Sequence, residues 1–149
     1  MKPATQIEVV VRAVLRNGPR ILLAQMKGYD FWFLPGGHVE VGESAPDALH
    51  RELRDELGIE VHVDQLIAVS ENRYVLDDEE RHEVNLVFLA RVESRPEHSL
   101  DPRLEFRWFQ TDALINLDIR PKALATVVRY GPAGNEMPLF SDDLGARKR

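Results

Sequence analysis

"GGHVEVGESAPDALHRELRDELGI", Gly36 to Ile59, sets two glycines ahead of a helix crowded with acids. Ser44 can cap that helix, Pro46 is tolerated in its first turn, Asp47 complements the dipole and Gly58 ends it. At about 100° per residue, with Glu52 as zero, Glu56 falls at about +40° and Asp55 at about −60°, so three carboxylates share one face. Leu49, Leu53 and Leu57 form an apolar stripe beside them that must face a core. Ala45 and Ala48 fall back near the acidic face, where small side chains leave room for a bulky group.

A solvated helix face would alternate acids with Lys or Arg, because like charges at i, i+3 and i+4 repel by a few tenths of a kcal/mol per pair. Here Arg51 stands one turn before Asp55 and within reach of the loop carrying Glu43, where it can hold a carboxylate in one rotamer. Gly36 and Gly37 let the backbone approach a ligand beside the helix. Hard divalent cations want several oxygen ligands, and Mg²⁺ typically combines carboxylates, waters and substrate phosphate oxygens. The helix face plus a loop carbonyl meets that need. No EF-hand loop occurs, and the five histidines show neither an H-E-x-x-H spacing nor a cysteine partner for zinc.

Working outward, Ile7 to Leu15 reads as a strand, "NGPR" at 17–20 as a turn and "ILLAQM" at 21–26 as its hairpin partner. "FWFL" at 31–34 reads as a short aromatic strand closed by Pro35, Gly36 and Gly37. Beyond the helix, 59–76 and 82–92 read as a long hairpin around an acidic turn, "DDEE" at 77–80. "EFRWFQ" at 105–110 reads as a strand, "DALINL" at 112–117 as one or two helical turns, and "PKALATVVRY" at 121–130 as a second helix opened by Pro121. These elements predict one α/β (α+β) domain over 1–130, a mixed central sheet with helices around it. Residues 131–149 read as a loosely ordered C-terminal tail.

Composition narrows the function classes. The chain has 149 residues, no cysteine, and a formal charge of −6 from 19 Lys+Arg against 25 Asp+Glu. Disulfides and a cysteine nucleophile are excluded, which suits a reducing cytoplasm, and the opening residues lack the pattern of a signal peptide. No basic stripe suits a phosphate backbone and no apolar run reaches membrane-spanning length, so neither stable nucleic-acid binding nor membrane insertion is expected. An acidic protein that handles a phosphorylated substrate needs a cation to offset repulsion.

The central stretch resembles the Nudix box, whose pattern is G, five residues, E, seven residues, R-E-U-x-E-E-x-G-U with U apolar. Gly37, Glu43, Arg51, Glu52, Leu53, Asp55, Glu56, Leu57, Gly58 and Ile59 occupy its positions, and Asp55 stands where the family has glutamate. The resemblance implies a Nudix-like α/β/α sandwich. It also implies an Mg²⁺- or Mn²⁺-dependent pyrophosphohydrolase in which water attacks a phosphorus of a nucleoside diphosphate linked to another group, ADP-ribose-like or a nucleotide sugar. Nucleoside triphosphates are the alternative substrates, and a non-hydrolytic nucleotide-binding or sensing module is the alternative class.

Carried over residue by residue, Glu52 and Glu56 become metal ligands, joined by Asp55, directly or through a water, and by the Gly36 carbonyl. Arg51 orients Glu52 or Glu43, and either glutamate, or one outside the box, takes the proton of the attacking water. Glu83, or Glu79 and Glu80, can add an acid from the later hairpin. Substrate contacts fall to Arg12, Arg73 and Tyr74, and to Trp32 with Phe31 and Phe33 packed inside, or the reverse, since alternate strand residues face opposite ways. Exposed strand edges allow a homodimer.

Overall fold

A computed structural model describes residues 1–93, 95–96, 98–131 and, as backbone, 139–142. Among the described residues ten elements follow one another: β1 (Glu8–Asn17), β2 (Arg20–Met26), β3 (Gly36–His38), α1 (Ala45–Leu57), β4 (Val61–Leu76), β5 (Glu79–Val92), β6 (Leu104–Gln110), a 3-10 helix (Thr111–Asn116), α2 (Lys122–Tyr130) and β7 (Leu139–Asp142). The strands lie in the order β6-β2-β1-β5-β4-β7. β1 runs parallel to β5 while β4 and β5 are antiparallel, so the sheet is mixed as expected.

β1 is apolar on both faces from Val9 to Leu15, broken only at Arg12, because both of its faces are covered. Val11, Ala13 and Leu15 pack with Leu49, Leu53 and Leu57 of α1, whereas Val14 packs on the opposite side with Leu124, Val127 and Val128 of α2. Two helical layers thus sandwich the sheet. The leucine stripe of α1 is fully or nearly buried, and each such side chain contributes about 1.5–3 kcal/mol of transfer free energy. The ends of α1 are closed as the sequence indicates. The Asp47 amide donates to the Ser44 hydroxyl at 3.2 Å, and Gly58, left-handed at φ 66°, donates to the Arg54 carbonyl at 2.9 Å. Ala48 departs from expectation: it is completely buried in the α1 core cluster rather than beside the acids, while Ala45 is partly exposed.

Three further differences have backbone causes. The stretch 31–34 is not a ladder strand. Phe33 exchanges both hydrogen bonds with Ala24, while Trp32 donates to the Asp118 carbonyl and accepts from Arg120, so the segment bridges two neighbours in turn. The short strand falls instead on Gly36–His38, antiparallel to β1, where a Cβ on Gly36 (φ 145°) would overlap the Val11 carbonyl. The hairpin turn is confined to Asp77 and Asp78, both with positive φ, while Glu79 and Glu80 belong to β5. Within 131–149, Leu139–Asp142 pairs in parallel with β4, and positions 132–138 and 143–149 lie outside the described residues. No helix among the described residues is long and apolar enough to cross a membrane.

Candidate active site

The glycine-rich β3 and the acidic edge of α1 meet at Gly37. A Cβ at this position would overlap the Glu52 carboxyl, so only glycine lets the helix carboxylate settle against the sheet. Arg51 then ties the loop, the helix and the sheet together. Its Nη2 and Nε donate to the two oxygens of Glu43 at 2.7 and 3.2 Å, its Nη1 to Glu52 Oε1 at 3.0 Å, and its Nη2 also to the His38 carbonyl at 2.9 Å. This fork geometry belongs to arginine, and a lysine could not reproduce it. The Arg51 hydrogen bonds hold the Glu43 carboxyl below the ordinary carboxylate range, and those same bonds push the Arg51 guanidinium up. Of the two glutamates that Arg51 could orient, it contacts both.

Glu56 follows Glu52 by one helical turn and has a different environment. Its Oε2 is buried without a hydrogen-bond partner. Burial first, and the neighbouring Glu52 charge second, push its carboxyl up to about 8, while the Arg12 cation pulls the other way. A buried carboxyl held protonated against a second carboxylate is a place where a cation, taking the place of that proton, would relieve both the burial and the charge repulsion. Among the described residues no three Asp, Glu or His side chains close around one point as an all-protein cage. Asp55 is exposed. That donor set fits Mg²⁺ or Mn²⁺, which take one or two carboxylates and complete their shell with waters and substrate phosphates. Glu52 and Glu56 are the side chains that would hold the ion, and Gly36 stands in β3 opposite Arg12.

Arg12 leads from these acids onto the α2-side face of the sheet. Its Nη1 donates to the Leu34 carbonyl at 3.1 Å, its Nε approaches Asn85 Oδ1 at 3.4 Å, and its guanidinium lies 5.4 Å from the centre of the Phe33 ring. Asn85 in turn donates to Asn72 Oδ1 at 2.8 Å, and Tyr74 donates to Glu83 Oε1 at 2.7 Å. Burial, then the Glu83 charge, raise the Tyr74 hydroxyl. Pairing of Asn72 with Glu83 and of Ser70 with Asn85 puts all of these on one face, and Ser70, Asn72, Glu83 and Asn85 are buried. Ser70, Asn72 and Asn85 were not singled out from sequence. Their signal is parity with Arg12, which becomes legible only when the register of β1, β5 and β4 is known.

The other expected contacts lie elsewhere. Trp32 is buried against Phe109, ring centres 4.8 Å apart, so Trp32 is the inward member of its trio and Phe33 the outward one beneath Arg12. Arg73 pairs opposite His82 on the α1-side face, 3.8 Å from Glu80, and so does not join Tyr74 and Arg12. Glu79 meets Lys2 and Arg81 near the hairpin end. His82 sits 3.3 Å from Glu71.

A family model described as NUDIX domain matches residues 6–130. The chain belongs to the Nudix family. A CTP pyrophosphohydrolase of Escherichia coli is 47% identical over 66 residues, 42% of this chain and 48% of that protein. An ADP-ribose pyrophosphatase of Methanocaldococcus jannaschii is 34% identical over 89 residues, 56% of this chain and 50% of that protein. The chain thus spans about half the length of these curated relatives. The crystal structure of a MutT NUDIX hydrolase from Burkholderia pseudomallei superposes with a TM-score of 0.62 at 30% identity, covering 72% of this chain and 85% of that one. The α/β/α sandwich is therefore the Nudix fold, and its box residues are those that surround Gly37.

Proposed function

We propose that the chain is a divalent-metal-dependent pyrophosphohydrolase that cleaves the diphosphate linkage of a nucleoside diphosphate joined to a further group, ADP-ribose-like or a nucleotide sugar. The observation that carries this reading is the pairing of Glu52 with Glu56, whose buried oxygen has no partner, beside the Arg51 fork. When bound, Mg²⁺ or Mn²⁺ would neutralise phosphate charge and stabilise the leaving phosphate. The protein's own residues do the rest. Both Glu43 oxygens accept from Arg51, so Glu43 is a poor proton acceptor and serves to hold Arg51. Glu52, whose Oε1 accepts a single hydrogen bond from Arg51, is placed to take the proton of the attacking water. The water oxygen forms a bond to one phosphorus, the bond from that phosphorus to the bridging oxygen breaks, and the second phosphate leaves with its substituent.

Arg12 supports the diphosphate reading because it joins the carboxylate edge to a face rich in hydrogen-bonding groups, where a ribose or base would find donors and acceptors. Nucleoside triphosphates are the second reading, favoured by the similarity to a CTP pyrophosphohydrolase. The test is phosphate release, after coupling to a phosphatase, from nucleoside diphosphate sugars, ADP-ribose and nucleoside triphosphates with Mg²⁺, Mn²⁺ or chelator. Metal-dependent turnover of the diphosphate class supports the proposal. Turnover confined to triphosphates would move the substrate to the second reading, and binding without turnover would make the chain a sensing module.

A further inference from the structure

The Arg51 network is built almost wholly from α1, which carries Arg51 and Glu52, and the loop before it, which carries Glu43. Its hydrogen bond into the sheet is the one from Nη2 to the His38 carbonyl at 2.9 Å. His38 is the last residue of β3, a strand of three residues, so the position of that carbonyl depends on what anchors the strand end. That peptide is held on two sides: the Val39 amide donates to the Val9 carbonyl at 2.9 Å, and a side-chain contact holds the strand end on the opposite face. The His38 side chain meets Glu8 through Nε2 and Oε1 at 3.0 Å, and the same Glu8 oxygen accepts from Arg81 Nη1 at 3.0 Å. Glu8 is only 9% exposed although His38 is 59% exposed, so the imidazole reaches in to a carboxylate fixed between β1 and β5. Residue parity gives the device its geometry: His38 faces Glu8, while its neighbour Gly37 faces the Glu52 carboxyl.

We infer that Glu8 and His38 are positioning residues for Glu52, a brace that fixes the end of β3 so that Arg51 and Gly37 hold the carboxylate in its metal-binding pose. The inference rests on the reading of Glu52 and Glu56 as metal ligands. Neither Glu8 nor His38 belongs to the pair of carboxylates read as metal ligands. Groups that orient metal ligands without binding metal set affinity through the pose they impose, and their loss weakens binding by about 10- to 100-fold. Glu8 and His38 act one step farther out, at the lower end of that range.

The test is Mn²⁺ affinity, measured by calorimetry or by the electron-spin signal of free Mn²⁺, on the full chain without substrate. His38→Ala is expected to weaken binding about tenfold. His38→Gln, whose side-chain amide can still donate to Glu8, restores affinity to within about threefold of wild type. Glu8→Ala loses as much as His38→Ala, and the double variant loses no more than either, because the two act as one unit. Because His38 is exposed, its variants remain folded, and thermal midpoints check this. Wild-type Mn²⁺ affinity in His38→Ala, additive losses in the double variant, or a lowered thermal midpoint with affinity intact would each overturn the brace. Glu52→Gln separates this failure from that of the site itself. If Glu52→Gln binds Mn²⁺ normally, the metal site is misassigned; if it loses binding while His38→Ala does not, only the brace is refuted.

Discussion

Replacing Glu56 with Gln should stabilise the metal-free fold while it removes activity. In the folded chain burial and the Glu52 charge push the Glu56 carboxyl up to about 8, against an ordinary 4.5. For a raised acid the sign is unfavourable: the penalty is absent below 4.5, grows as pH rises because the unfolded chain releases a proton that the folded chain keeps, and is complete above about 8. At pH 7 it amounts to about 3 kcal/mol, taking about 1.4 kcal/mol per pH unit over the interval from the ordinary value. Glutamine cannot ionise and escapes it. Urea unfolding in EDTA between pH 5 and 8 should show wild-type stability falling with pH and the Glu56→Gln curve nearly flat, with the variant ahead by about 2–3 kcal/mol at neutral pH. Mg²⁺ at about a hundred times its dissociation constant returns about 2.7 kcal/mol to the wild type and much less to the variant, so the order narrows or reverses. Turnover falls about a hundredfold or more. A variant less stable than wild type in EDTA, or a wild-type curve without the downward slope, would refute the electrostatic account of this site.

Arg51→Lys keeps the charge but loses the fork to Glu43 and the bond to Glu52, and steady-state kinetics should show kcat reduced about 10- to 100-fold with a smaller change in KM. Because Arg51 holds Glu43 below its ordinary 4.5, the stabilisation from that pair is present above 4.5 and lost as pH falls through the lowered value. The stability gap between wild type and Arg51→Lys should therefore shrink in acid, and a gap constant down to about pH 2 would contradict the pairing. Gly37→Ala forces the Glu52 carboxyl aside, so Mn²⁺ affinity and turnover should both drop while circular dichroism stays unchanged. Trp32→Ala removes a buried ring packed on Phe109 and should cost about 3–5 kcal/mol in unfolding free energy. A Trp32 variant that kept its stability but lost substrate affinity would return this residue to the binding surface.

α1 was legible because everything that decides it is local: a cap at Ser44, a stop at Gly58, and a leucine spacing that places Glu52 and Glu56 beside a buried stripe. Arg51 was legible for the same reason, since its partners lie on its own helix and in the loop just before it. What escaped depends on register between strands distant in sequence. Glu8 met Arg81 and His38 only once β1 was paired with β5 on one side and β3 on the other, contacts spanning 73 and 30 positions. The row from Arg12 through Asn85 to Asn72 has the same origin: each residue alone reads as an ordinary polar member of a strand, and only the pairing turns three of them into a chain of hydrogen bonds, half-buried at Arg12 and buried between Asn85 and Asn72. Trp32 was decided by packing against Phe109 rather than by alternation, because a segment that bonds to β2 and to Asp118 in turn takes its orientation from both neighbours. A helix motif can therefore announce the reaction class of this chain, whereas the groups that aim its carboxylates and frame its substrate are products of the sheet.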